Sequence, residues 1–210
     1  MNRTRVILVA AVVVGMLVGC AAQDAEPTPS PVAESPVETP APEPTQPALA
    51  DLVLSTEGLD YLLIGQPVPA VDEQLAIVAW DPAVCENDTI EGEPYAGAWL
   101  PAFPDEFPFV VDDTTGGLRD GDLVSILVPT PGISTSDGIA VGSTKAELDA
   151  AYPAFDEHVS HPEYDLYVID GTAGQLVFDL SDGLVAAIQV TPVDEQPGST
   201  RGGDASFPCV

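Results

Sequence analysis

Positive charge is what this sequence lacks. Its 210 residues include five Lys and Arg against 34 Asp and Glu, a formal net charge of −29. A nucleic-acid backbone is held by clustered basic side chains that release counterions, so a generic nucleic-acid binder is excluded. Docking on anionic lipid through a basic patch is excluded on the same ground. Cysteine is scarce, with three residues, and histidine more so, with His158 and His161 alone. The N-terminal apolar run, Val6 to Leu17, has 12 residues. As helix it spans about 18 Å, short of the roughly 30 Å hydrocarbon core, so a permanent span is disfavoured. Apolar side chains as such are not scarce. Hydrophobic residues make up 45% of the chain and charged residues 19%, which excludes disorder throughout.

The start of the chain has the parts of an export signal: basic Arg3 and Arg5, the apolar run, then a small-residue site. The run ends Leu17-Val18-Gly19-Cys20. This resembles the lipobox of bacterial lipoproteins, with Leu17, Val18 and Gly19 ahead of the obligatory Cys20. The resemblance implies cleavage before Cys20, diacylation of its thiol and removal of residues 1–19 as signal peptide. Two acyl chains make anchoring stable where one is marginal. An ordinary cleaved secretory signal with an incidental Cys, or a short membrane anchor, is the alternative. The expected location is the extracytoplasmic face of the cell membrane. The mature chain then keeps three basic residues, Arg119, Lys145 and Arg201, against all 34 acids.

Residues 20–50 read as a lipidated, disordered tether. Pro27, Pro29, Pro31, Pro36, Pro40, Pro42, Pro44 and Pro47 are mixed with Ala, Thr, Ser and Glu, without an aromatic residue. Such a segment buries too little apolar surface to offset its ordering entropy. Polyproline II at ~3.1 Å per residue gives it a reach on the order of 90 Å. It resembles the stalks of Gram-positive surface lipoproteins.

The remaining residues, 51–210, suggest two degenerate repeats, 51–130 with an insertion and 131–210. Gly65 and Gly142 end apolar stretches 77 residues apart. Asp112, Thr114, Gly116 and Leu118 match Asp170, Thr172, Gly174 and Leu176 at an offset of 58. Asp120-Gly121 and Asp182-Gly183 lead into apolar strands at an offset of 62. Chance matching of turn residues is the alternative. In the second copy, Thr144 to Glu147 is a capping box that predicts a helix from Lys145 to Tyr152, with Leu148, Ala151 and Tyr152 on one face. Pro153 stops it. Strands are predicted at Leu166–Asp170, Gln175–Leu180 and Leu184–Thr191, with Asp170-Gly171 and Asp182-Gly183 as hairpin turns. Alternation along Gln175–Leu180 predicts a half-buried strand. The first copy predicts a weaker helix at Ala70–Leu75, then strands at Ala76–Trp80 and Leu123–Val128. The fold class is α+β, each repeat a short helix plus an antiparallel meander.

The segment Ile139 to Leu148, an apolar residue pair before Gly142 and a Thr-initiated helical turn, resembles the two-repeat secreted proteins of the beta-lactamase inhibitor protein type. It is also similar to the outer-membrane assembly lipoproteins, although Ser143 stands where those carry Met. The resemblance implies a concave sheet used to bind protein, without enzymatic activity.

Cys85 and Cys209 remain as an even pair in an oxidising compartment, which favours a disulfide. Two free thiols, or a metal pair, are the alternatives. Asp112, Asp113, Asp120 and Asp122 could offer hard oxygens to Ca²⁺, but they fit no EF-hand loop, and Asp-Gly is turn chemistry first. His158 and His161 lack a third ligand, and Pro153 and Pro162 favour a surface loop over a zinc site. No Gly-x-Ser-x-Gly elbow and no phosphate loop occurs. Trp99, Phe103, Phe107 and Phe109 form either an aromatic binding loop or a seal over the core, the second being favoured. The reading is therefore a lipid-anchored binding module of the cell envelope, with an envelope or extracellular protein as partner. It implies no cofactor, metal or catalytic residue. A small-molecule or metal-ion binding lipoprotein is the alternative, and an envelope enzyme stands behind it.

Overall fold

Alternating apolar residues and Asp-Gly turns produce the main feature of the chain, an antiparallel sheet. The computed structural model describes residues 45–84, 89–90, 93–94, 97–103, 107–113 and 119–198. The chain divides into two units, Met1–Ala41 and Pro42–Val210, and all described residues belong to the second. In chain order the strands are β1 (Val53–Ser55), β2 (Gly58–Leu59), β3 (Leu62–Leu63), β4 (Val78–Asp81), β5 (Thr89–Ile90), β6 (Glu93–Pro94), β7 (Ala98–Pro101), β8 (Val110–Asp113), β9 (Leu123–Val128), β10 (Ser134–Thr135), β11 (Glu157–His161), β12 (Tyr164–Asp170), β13 (Gly174–Ser181) and β14 (Leu184–Pro192). The helix α1 (Lys145–Ala151) lies between β10 and β11. The architecture is α+β in the sense of largely antiparallel sheet with one short helix among the described residues.

Six strands form the main sheet in the order β11-β12-β13-β14-β9-β8, every pairing antiparallel. A smaller sheet runs β10-β1-β2-β3, its β1–β10 pair parallel, and β4 pairs with β7. The core lies between these layers. From the main sheet it takes Val111, Ile126, Val128, Leu176, Phe178, Ile188 and Val190; from the smaller elements Leu54, Leu59, Leu62 and Ile77; and from α1 Leu148. Leu166, Val168 and Val177 form a separate cluster with Val159 and Tyr164.

The helix forms where its capping box places it. Thr144 Oγ1 accepts from the Glu147 amide at 3.2 Å, and the Glu147 carboxylate accepts from the Thr144 amide at 2.8 Å. The bond from the Thr144 amide, with one from the Thr144 hydroxyl, holds the Glu147 carboxyl below its ordinary range. Leu148 is buried, and Ala151 and Tyr152 pack beside it. Asp182 and Gly183 both have positive φ, 51° and 78°, as a two-residue turn of the mirror-image type requires. The Asp170-Gly171 step instead opens a longer turn, closed by the Gly171 amide on the Gly174 carbonyl at 2.8 Å.

Three expectations are corrected. No α-helix forms at Ala70–Leu75; a 3-10 turn covers Glu73–Leu75. Pro67 and Pro69 disfavour helix before it, and so short a segment cannot offset helix nucleation. The strand after it is Val78–Asp81 rather than Ala76–Trp80. β13 is not half-buried: Gly174 to Leu180 are all buried, Val177 with the second cluster and Asp179 at 1% exposure.

Two sets of main-chain contacts join the smaller elements to the main sheet. The Gly65 amide donates to the Leu123 carbonyl at 2.7 Å, and the Leu123 amide to the Gln66 carbonyl at 2.9 Å. The Gly142 amide donates to the Val185 carbonyl, and the Val185 amide to the Ser143 carbonyl, both at 2.8 Å. Pro67 bridges Asp122, and Thr144 bridges Leu184.

Candidate functional site

Helix α1 and the β11–β12 hairpin bring together the aromatic, cationic and acidic side chains that form a candidate site. β11 and β12 join through the two-residue turn Pro162-Glu163, so cross-strand partners mirror each other about it: His161 faces Tyr164, Val159 faces Leu166, and His158 faces Tyr167. Directly opposed side chains on one sheet face pack together. His158 therefore stacks on Tyr167, ring centroids 4.3 Å apart and planes 10° apart. His161 stacks on Tyr164 at 4.5 Å and 16°. Alternation puts these two stacks on opposite faces of the hairpin.

Tyr167 is the centre of the larger group. The Phe155 ring tilts against it at 4.9 Å, and the ammonium of Lys145, at the first position of α1, sits 4.2 Å from its centroid. The same ammonium lies 5.4 Å from Phe155 and pairs with Asp149 one helical turn on. An ammonium over an aromatic face is attracted by the ring quadrupole. Asp165 lies 3.2 Å from His158 Nε2. Hydrogen bonds from Ser160 and His158, with the positive charge of Lys145 in addition, hold the Asp165 carboxyl below its ordinary range. A depressed acid contributes stability that is present above its unfolded pKa and lost as pH falls through its folded one. In a carboxyl NMR titration Asp165 is therefore expected to titrate below a free aspartate. Asp165→Asn is expected to flatten the loss of stability at acid pH; an ordinary titration would contradict the contact with His158.

The other sequence candidates disperse. His158 and His161 sit on a strand, not in the expected loop, and face opposite ways, so they cannot share a metal. Asp112 and Asp113 lie on β8, while Asp120 and Asp122 precede β9. Among the described residues no group of His, Cys, Asp and Glu is placed to hold a metal ion. Phe109 is buried in the core, and Phe103 packs edge-on against it at 6.2 Å. Trp99 packs edge-on against Trp80 at 5.5 Å and against the core. Phe107 alone of the four points out, 67% exposed. It borders a cleft of about 300 Å³ with Leu49, Pro108, Thr130 and Pro131. Three of the four rings thus seal the core. Leu17, Val18, Gly19, Cys20, Cys85 and Cys209 lie outside the described residues, as does the tether before residue 45. Lys145, Phe155, Asp165 and Tyr167 were not singled out as a site in the sequence. Taking Pro162-Glu163 as a two-residue turn, with polar and apolar residues alternating on either side, would have paired His158 with Tyr167.

No protein-family model and no curated protein matches the chain. Among solved structures the chain is similar to a DUF4309 family protein, YjgB, from Bacillus subtilis subsp. subtilis strain 168. The identity is 14% over 61% of this chain and 72% of that one, with a TM-score of 0.28.

Proposed function

We propose that the chain is an extracytoplasmic lipoprotein whose folded part is a two-repeat binding module held out from the membrane by its Pro-rich tether. The observation that carries the anchoring is Leu17-Val18-Gly19-Cys20 placed directly after a 12-residue apolar run and two arginines. Residues 1–19 are the cleaved signal in this reading, and the tether runs from Cys20 to the edge of the fold. Its expected limit at residue 50 is corrected, because Gln46 already donates to the Ala76 and Ala102 carbonyls at 3.0 and 2.8 Å and Leu49 packs against the core. Cys85 and Cys209 form its disulfide.

The two-repeat reading is supported by main-chain contacts. Gly65, Gln66 and Pro67 stand to Gly142, Ser143 and Thr144 at the spacing of 77 found in the sequence. Asp122 and Leu123 stand to Leu184 and Val185 at the spacing of 62. Each trio makes the same hydrogen bonds and bridge to its own strand. The strands β9 and β14 of the two halves then pair side by side. Binding rather than catalysis is supported by the hairpin site, whose rings and charges suit recognition of a charged partner.

The anchoring is tested by Cys20→Ser. In an expressing cell the native chain is expected in the membrane fraction, carrying label from an alkyne fatty acid. The variant is expected to lose the label and leave that fraction almost completely. A variant that keeps both label and membrane association would overturn the assignment of Cys20.

A further inference from the structure

The hairpin that carries the aromatic stacks also ends the main sheet. β11 is one edge of that sheet and pairs only with β12 among the described strands. Its two-residue turn closes on the His161–Tyr164 pair, whose main chains face each other. By alternation, Val159 and Glu157 also face β12. The amides and carbonyls of His158 and Ser160 are left pointing outward. Natural sheets blunt such an edge with Lys, Pro, bulges or a covering element. The opposite edge follows this rule: β8 has a register shift at Asp112/Asp113 and lies beside β7. β11, Glu-His-Val-Ser-His, contains no Lys and no Pro, and four of its five residues are exposed.

Charge says what such an edge would accept. The hairpin carries Glu157, Glu163 and Asp165 without a Lys or Arg, in a folded part with 29 acids and three bases. The Tyr167 and Phe155 rings beneath it already hold one ammonium, that of Lys145. A second copy of this chain would bring like charge to like charge. We infer that the outer edge of β11 is a docking strand for a basic, extended segment of a partner polypeptide, which adds to the sheet through the His158 and Ser160 main chains and sets Lys or Arg against Glu157. The inference rests on the reading of the chain as a binding module and names the partner's chemistry. Main-chain pairing supplies affinity in such strand addition, and alternate side chains supply selectivity.

The test uses the full chain in detergent and two peptides, an alternating Lys-Val heptamer and its Glu-Val counterpart, so its outcome does not depend on lipidation. The Lys-Val peptide is expected to bind, to shift and protect the His158 and Ser160 amide signals, and to weaken about tenfold between about 50 mM and 500 mM salt. The Glu-Val peptide is expected not to bind. Ser160→Pro removes an outward amide and leaves the β12 ladder intact, as an edge position allows. It is expected to reduce binding at least about tenfold. If Ser160→Pro does not fold, Glu157→Lys decides, with an expected loss of about fivefold at unchanged stability. Binding untouched by both variants would mean general attraction to an acidic surface and would overturn the inference. So would a chain that binds neither peptide, and so would one that self-associates through β11.

Discussion

Phe178→Ala is expected to destabilise the domain by about 3–5 kcal/mol, the range for a large aromatic side chain removed from a packed core. Phe178 is 0% exposed at the centre of β13, flanked by Tyr167 on β12 and Ile188 on β14. Its ring meets Tyr152 at 5.3 Å, where the chain leaves α1. The strand is buried on both faces, so little can collapse into the space left behind. The same side chain ties the helix to the strand that carries Tyr167, so the loss extends to the site. Urea denaturation reads the effect as a lower midpoint at unchanged slope. Phe178→Leu, which keeps most of the volume, is expected to cost far less. A loss under about 1 kcal/mol for the alanine variant would contradict this placement of the core.

Gly58→Ala is expected to cost a comparable amount, about 3–5 kcal/mol, by a different cause. Gly58 opens β2 with φ at 148°, where L side chains rarely go. A Cβ there would stand 1.9 Å from the Leu62 carbonyl oxygen, which belongs to the paired strand and cannot swing away. The turn it enables carries Leu59 and Leu62 into the core and Tyr61 across to Ile77, whose amide donates to the Tyr61 hydroxyl at 2.8 Å. Burial pushes the Tyr61 hydroxyl pKa up, so it stays protonated at neutral pH. Thermal unfolding of Gly58→Ala beside the native chain measures the effect. An unchanged midpoint would mean that the β2–β3 turn is not needed for the fold.

The second half of the domain was legible because its signals are local. Thr144 and Glu147 cap a helix wherever they stand three apart at its start. Asp182-Gly183 supplies two positive-φ residues in sequence, which a tight hairpin needs. The first half was less legible because Pro67 and Pro69 weaken any helix, and its strands before β9 are two to four residues long. Burial of β13 on both faces was not legible, since a single Asp at position 179 imitates a solvent face. The site was hidden for a related reason. Lys145, Phe155 and Tyr167 lie on different elements, and only the packing of α1 against the sheet brings them together. His158 and His161 look like a ligand pair when read as a helix and separate once read as a strand.

The scarcity of positive charge bears on both ends of the protein. In the proposed mature chain, which lacks Arg3 and Arg5, Lys145 and two arginines remain, and Lys145 is engaged by Asp149 and Tyr167. Attraction of a basic partner and repulsion from acidic polymers follow from that composition.

Intact mass of the chain extracted from membranes tests the anchored binding module most directly. The expected species begins at Cys20, carries a diacylglycerol on its thiol, and gains the mass of two hydrogens on reduction as the Cys85–Cys209 bridge opens. A chain that begins elsewhere, or that begins at Cys20 without lipid, would contradict the proposed anchoring.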